Sequence, residues 1–172
     1  MADLRHSKPR LDPVDTPFDV GNQWNISRTM ANSLEAFTGF VRFSNQLRKA
    51  SLSPRLREVV ILRVGALLGS DYEWGRHVLR ARDAGLEDRE IRAIRSGDLE
   101  QLPELDRLVA RFAEAVERRN VTDQMWGEME SRFTKSDLTE ITTFASYYGF
   151  VSRFLLATNV QLDDDIEGLD YP

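Results

Sequence analysis

Apolar positions along the chain recur mostly at helical spacing, and polar or turn-forming residues punctuate them at helix ends. A short helix is expected around Trp24 to Met30. Ser33 can cap a second, Leu34 to about Ala50, with Phe37, Phe40, Val41 and Leu47 facing inward. Ser53-Pro54 then offers a capping hydroxyl followed by proline at the first helical position. The run from Pro54 to Gly69 is apolar nearly all round, so this helix should be central. Its Val59-Val60-Ile61 would also suit a strand, but length and the proline favour helix. Asp71 can cap the next helix, which should stop at Ala84-Gly85. Further helices are expected over about 88–95, from Pro103 with Leu105, Leu108, Val109, Phe112, Ala113 and Val116 inward, from Thr122 through Phe133, and from a Ser136 cap to about Ala157. No stretch alternates convincingly as a strand, and no repeat is evident. The pattern predicts an all-α, single-domain bundle of seven or eight helices.

Three prolines within residues 1–20 make that segment an extended arm, mobile or draped over a neighbour. The bundle should occupy 21–162, followed by a loose acidic tail over 163–172. At 172 residues the chain is long enough for a sizeable core. Its 23 basic and 28 acidic residues give a net charge of −5, which argues against binding nucleic acid. There is no cysteine, so disulfides, thiol nucleophiles and thiolate metal sites are excluded. The first ten residues lack the apolar core of a signal peptide, and a cytoplasmic protein is expected. Ile141 to Val160 is long enough for a membrane span, but its six hydroxyl and amide side chains suit a buried core or interface helix. No membrane association is expected.

The candidate chemistry centres on Glu73 and His77, four residues apart and therefore on one helix face. Only one other histidine exists, His6, in the arm. The pair is either a helix-supporting surface contact contributing about 0.2–0.5 kcal/mol or an acid/base couple. Glu58, near the start of the central helix, is also explained by the helix dipole alone. Arg63 and Arg153 lie in apolar surroundings and each needs a partner: a structural salt bridge, or a substrate carboxylate held by the guanidinium fork. Glu58 and Arg63 are about 140° apart around a helix and should not face each other. Tyr72, Trp74, Tyr147, Tyr148 and Trp24 are mostly core candidates, one or two of which could line a pocket. No second histidine lies within ligand spacing of His77, so no metal site is expected.

The segments Ser53-Pro54-Arg55-Leu56-Arg57-Glu58-Val59-Val60-Ile61-Leu62-Arg63-Val64, Tyr72-Glu73-Trp74-Gly75-Arg76-His77 and Tyr147-Tyr148-Gly149-Phe150-Val151-Ser152-Arg153-Phe154 resemble the carboxymuconolactone decarboxylase family, with its alkylhydroperoxidase D-like fold. The peroxidase branch of that family carries two cysteines, a histidine and an upstream glutamate. Laid on this chain, the cysteine positions hold Ser70 and Glu73, and the acid and imidazole fall on Glu58 and His77. Neither replacement can form a disulfide, so thiol peroxidase chemistry is excluded and proton transfer remains open. The resemblance implies a homo-oligomer, trimeric or hexameric, packed through helices.

Together these readings give a cofactor-independent, lyase- or decarboxylase-like enzyme of a small cyclic or aromatic-derived carboxylate or lactone. His77 would be the general acid/base, Glu73 would orient it or carry a second proton, and Glu58 would complete a relay. Arg63, Tyr72, Trp74, Tyr148 and Arg153 would contact substrate. The alternative is an oligomer of the same fold that binds a small ligand or acts as a scaffold without catalysis. An enclosed, partly apolar cavity at Glu73 and His77 separates the two.

Overall fold

A computed structural model describes residues 8–16 and 24–166. Among them are eight α-helices and no strand: α1 (Asn25–Met30), α2 (Leu34–Leu47), α3 (Pro54–Leu68), α4 (Asp71–Asp83), α5 (Asp88–Ser96), α6 (Glu104–Arg118), α7 (Asp123–Glu130) and α8 (Lys135–Thr158), with a 3₁₀ turn at Leu99–Gln101. The all-α expectation holds. No helix among the described residues is long and apolar enough to cross a membrane.

The helix ends follow local chemistry. Ser33, Ser53 and Thr122 each accept a first-turn backbone N–H, and Gly69 closes α3 at φ 71°, where a side chain would be strained. Two expected caps move. Ser70, not Asp71, occupies the cap position of α4. Thr134, not Ser136, caps α8, because Thr134 and Asp137 exchange hydrogen bonds in a reciprocal box. α2 also ends at Leu47, three residues short of the expected Ala50.

The apolar girth of α3 makes it the axis of the bundle, packed by α4, α5, α6 and α8. Every residue from Glu58 to Gly65 is buried. A main core surrounds α3, with Val59, Leu62, Val78, Ile94, Phe112 and Ile141 among its members. A second apolar cluster gathers Ile26, Tyr72, Val151 and Leu155, with Trp24, Phe40 and Tyr147 against it. Residues 8–16 lie along their own chain: Arg10 N–H bonds Thr158 O at 2.9 Å and Val14 N–H bonds Arg28 O at 3.1 Å.

Of the acidic tail expected over 163–172, residues 163–166 are described, and two of its carboxylates bind the bundle. Asp163 accepts hydrogen bonds from Tyr72 Oη, from the Arg76 guanidinium and, at 2.6 Å, from Asn25 N–H. Asp165 completes the ion pair with Arg76 at 2.7 Å. The half-buried Arg76 needs carboxylate partners, and the strap of residues 163–166 supplies them with Asp163 and Asp165. His6 and the residues after 166 lie outside the described residues.

Gly149 lets α6 and α8 approach closely. A Cβ there would overlap the Glu117 carboxylate, whose side chain is 4% exposed and paired with Arg153. Gly149→Ala is therefore expected to cost about 1–3 kcal/mol by overpacking, measured as a shift in urea midpoint. An unchanged midpoint would show that Glu117 moves freely.

Candidate active site

The two apolar clusters do not meet completely. Between them lies a cavity of about 550 Å³ whose walls come from α1, α2, α3, α4 and α8. α4 presents one face to it at i, i+3, i+4, i+7 spacing: Glu73, Arg76, His77 and Arg80, with Tyr72 beside them. α3 adds Arg57, Glu58 and Ile61, and α8 adds Phe144, Tyr147, Tyr148 and Val151. Phe40, Ser44 and Arg48 of α2 form the facing wall.

His77 is 4% exposed and held on both ring nitrogens. Nδ1 lies 2.6 Å from Glu58 Oε2. Nε2 lies 3.4 Å from Arg80 Nη1 and 3.6 Å from Glu73 Oε2. A guanidinium only donates, and an ionised carboxylate only accepts. The network therefore assigns the ring proton to Nδ1, donating to Glu58, and leaves Nε2 as the acceptor facing the cavity. Tyr148 packs edge-on against the imidazole, with centroids 5.1 Å apart at 87°, and stacks on Phe144.

The two carboxylates flanking the ring are pushed in opposite directions. Burial raises the Glu58 carboxyl, but the hydrogen bond from His77 and the charge the ring carries when protonated, with Arg57 and Arg80 behind it, outweigh burial and leave it below its ordinary 4.5. Glu73 has no hydrogen bond among the described residues; burial dominates and holds its pKa above 4.5 against the opposing charges of His77, when protonated, and Arg80. Burial and the neighbouring carboxylates also raise Tyr148, and burial pushes Tyr147 up to about 12. Opposite shifts in two adjacent acids pull their titrations apart.

Stability follows with opposite signs. Folded Glu73 retains a proton that the unfolded chain releases, so its contribution falls as pH rises from the ordinary 4.5 through the raised folded value. Glu58 stabilises above 4.5 and loses that contribution as pH falls through its lowered value. Glu73→Gln is therefore expected to raise Tm near neutral pH, by roughly 2–4 °C per kcal/mol of relieved burial cost, and to lose the gain near pH 4. A Tm lowered equally at both pH values would place Glu73 as an ionised structural partner.

The geometry sorts the residues singled out in the sequence. Glu58, Tyr72, Glu73, His77 and Tyr148 converge on the cavity. The partner orienting His77 is Glu58, not Glu73, as the 2.6 Å and 3.6 Å separations show. Three residues expected to contact substrate are elsewhere. Arg63 donates to Glu114 and, at 2.6 Å, to Ile94 O, because its position 140° from Glu58 turns it toward α5 and α6. Trp74 is 1% exposed in the main core, under the Arg95 guanidinium. Arg153 leaves the apolar face of α8 to pair with Glu117. Arg76 and Arg80 were missed, although their i+3 and i+7 spacing from Glu73 puts them on its face. Arg48 and Trp24 reach the cavity only through tertiary folding. Among the described residues no group of three or more histidine and carboxylate side chains is placed to hold a metal ion.

These features define an all-α bundle with a partly apolar pocket lined by acidic, basic and imidazole side chains. Residues 35–99 match the Carboxymuconolactone decarboxylase family. An uncharacterized peroxidase-related protein from Silicibacter superposes with a TM-score of 0.76 at 18% identity, covering 87% of this chain and 81% of that one. The alkylhydroperoxidase AhpD core protein from Ralstonia eutropha, also described as peroxidase-related, gives 0.75 at 19% identity, covering 86% and 80%. A protein of unknown function from Agrobacterium tumefaciens gives 0.71 at 19% identity, covering 78% and 94%. At these identities the likeness establishes the fold. No curated relative matches the sequence. The chain thus has the alkylhydroperoxidase D-like fold, its residues 35–99 match the carboxymuconolactone decarboxylase family model, and it contains no cysteine.

Proposed function

We propose that the chain is a cofactor-independent, lyase- or decarboxylase-like enzyme acting on a small cyclic or aromatic-derived carboxylate or lactone. The observation that carries this reading is the buried imidazole set 2.6 Å from Glu58 and 3.6 Å from Glu73 on the wall of a partly apolar cavity. In this reading Glu58 fixes the ring, Nε2 accepts a proton from substrate, and Glu73 delivers one. In a decarboxylation, the electron pair of the breaking C–C bond moves into a conjugated carbonyl of the substrate. Carbon dioxide leaves, Glu73 protonates the carbon, and solvent restores the Glu73 proton through His77. Isomerisation of a lactone double bond uses the same two groups, with His77 removing one proton and Glu73 returning another. The cavity volume of about 550 Å³ suits a single-ring substrate. Assembly as a homo-oligomer, a trimer or hexamer, belongs to the same proposal.

The test is a turnover screen of carboxylated lactones and aromatic acids, followed by carbon dioxide release and by solvent deuterium incorporation at carbon. Turnover abolished by His77→Gln supports the proposal. Saturable binding without turnover or deuterium exchange would instead make this a ligand-binding member of the fold.

A further inference from the structure

Among the arginines around the cavity, Arg80 is the one that reaches His77 without pairing with a carboxylate among the described residues. Arg76 is occupied by Asp163 and Asp165. Arg57 leans on Glu58 Oε1 at 3.4 Å. Arg80 ion-pairs with no carboxylate among the described residues. Its guanidinium carbon lies over the Trp24 ring, 5.5 Å from the centroid, and its one polar partner among the described residues is His77 Nε2 at 3.4 Å. A guanidinium has five N–H donors in a planar fork, and an imidazole lone pair is a poor match for it. Arg80 is exposed and lines the cavity together with Trp24.

We infer that Arg80 is the specificity-determining residue for an anionic group on the substrate, and that it positions His77 until that anion arrives. The inference rests on the acid/base reading for its consequence, not for its binding step. A substrate carboxylate takes the fork of Arg80 in two parallel hydrogen bonds. Nε2 of His77 then loses its only donor and turns its lone pair to the substrate, on the side where Glu73 Oε2 stands 3.6 Å away. Substrates without the anion leave Nε2 occupied, so the same contact that recognises the substrate releases the base. Arg48, on the opposite wall, has Asn45 Oδ1 at 3.4 Å as its one side-chain hydrogen-bond partner among the described residues and adds positive charge to the cavity.

The experiment uses benzoate and cyclohexanecarboxylate, with benzamide and cyclohexanecarboxamide as neutral counterparts. Binding to the wild-type protein, Arg80→Gln and Arg80→Lys is measured by calorimetry, and the His77 ring nitrogens are followed by ¹⁵N NMR. The wild type is expected to prefer each acid over its amide by about tenfold or more, the worth of charge-assisted hydrogen bonds. Arg80→Gln should bring that ratio close to one without weakening the amides, and Arg80→Lys should restore part of it. Saturation with acid should shift Nε2 in the wild type, and amide should not. Equal affinity for acid and amide in the wild type, equal loss of both in Arg80→Gln, or an unmoved Nε2 resonance would each overturn the inference. None of those results bears on turnover by His77 and Glu73, so the acid/base proposal fails or survives separately.

Discussion

His77→Gln is expected to lower kcat/KM on a substrate identified by the screen by about 10²–10⁴-fold, the usual contribution of a positioned acid/base group. The glutamine amide can still donate to Glu58, so the buried carboxylate at 2.6 Å keeps a partner and the fold should persist. It cannot accept and release a proton near neutral pH, so the loss should fall on kcat. His77→Ala is the less informative variant because it leaves Glu58, only 2% exposed, without its main partner. A His77→Gln protein that keeps its circular dichroism and Tm and also its turnover would remove the imidazole from the chemistry.

Glu114→Ala is expected to give the largest loss of stability, about 3 kcal/mol, the low end of the range for unpairing a buried ion. The Arg63 side chain is 9% exposed and Glu114 is 22% exposed, so some water can relax around the orphaned charge. Ile94 O, at 2.6 Å from Nη1, would be its remaining partner. At roughly 2–4 °C per kcal/mol, Tm should fall by several degrees. Replacing both partners by apolar residues, Arg63→Met with Glu114→Leu, should recover most of the loss. Benzoate affinity should be unchanged throughout, because neither side chain lines the cavity. A stable Glu114→Ala protein with weakened benzoate binding would return Arg63 to the substrate-contacting role that the sequence suggested.

Arg63 shows where sequence reading stops. Its burial followed from its apolar neighbours, and its angle from Glu58 already turned it from the site. Its partners lie on α5 and α6, more than thirty residues away, and nothing local names them. Arg153 and Glu117 repeat the case. Helices were legible because their ends carry their own chemistry, as at Ser53-Pro54 and Gly69. The error at Thr134 arose because two cap-competent hydroxyls stand two residues apart, and only the reciprocal bond with Asp137 decides between them.

The site was legible to the extent that it lies on one helix. Helical spacing brought Glu73 and His77 together, and the family resemblance added Glu58. The division of labour between the two acids was not legible, because it depends on which one receives a hydrogen bond and which faces the cavity without one. The covering wall from α2 and the strap at Asp163 are tertiary features with no local signature.

The split between the two carboxyl groups is the central claim, and glutamate side-chain carboxyl titration by ¹³C NMR tests it without any substrate. Glu58→Gln and Glu73→Gln proteins assign the two resonances. The expected result is one carboxyl titrating below its ordinary 4.5 and lost in Glu58→Gln, and one above it and lost in Glu73→Gln. Both groups titrating together in the ordinary carboxylate range would contradict the account.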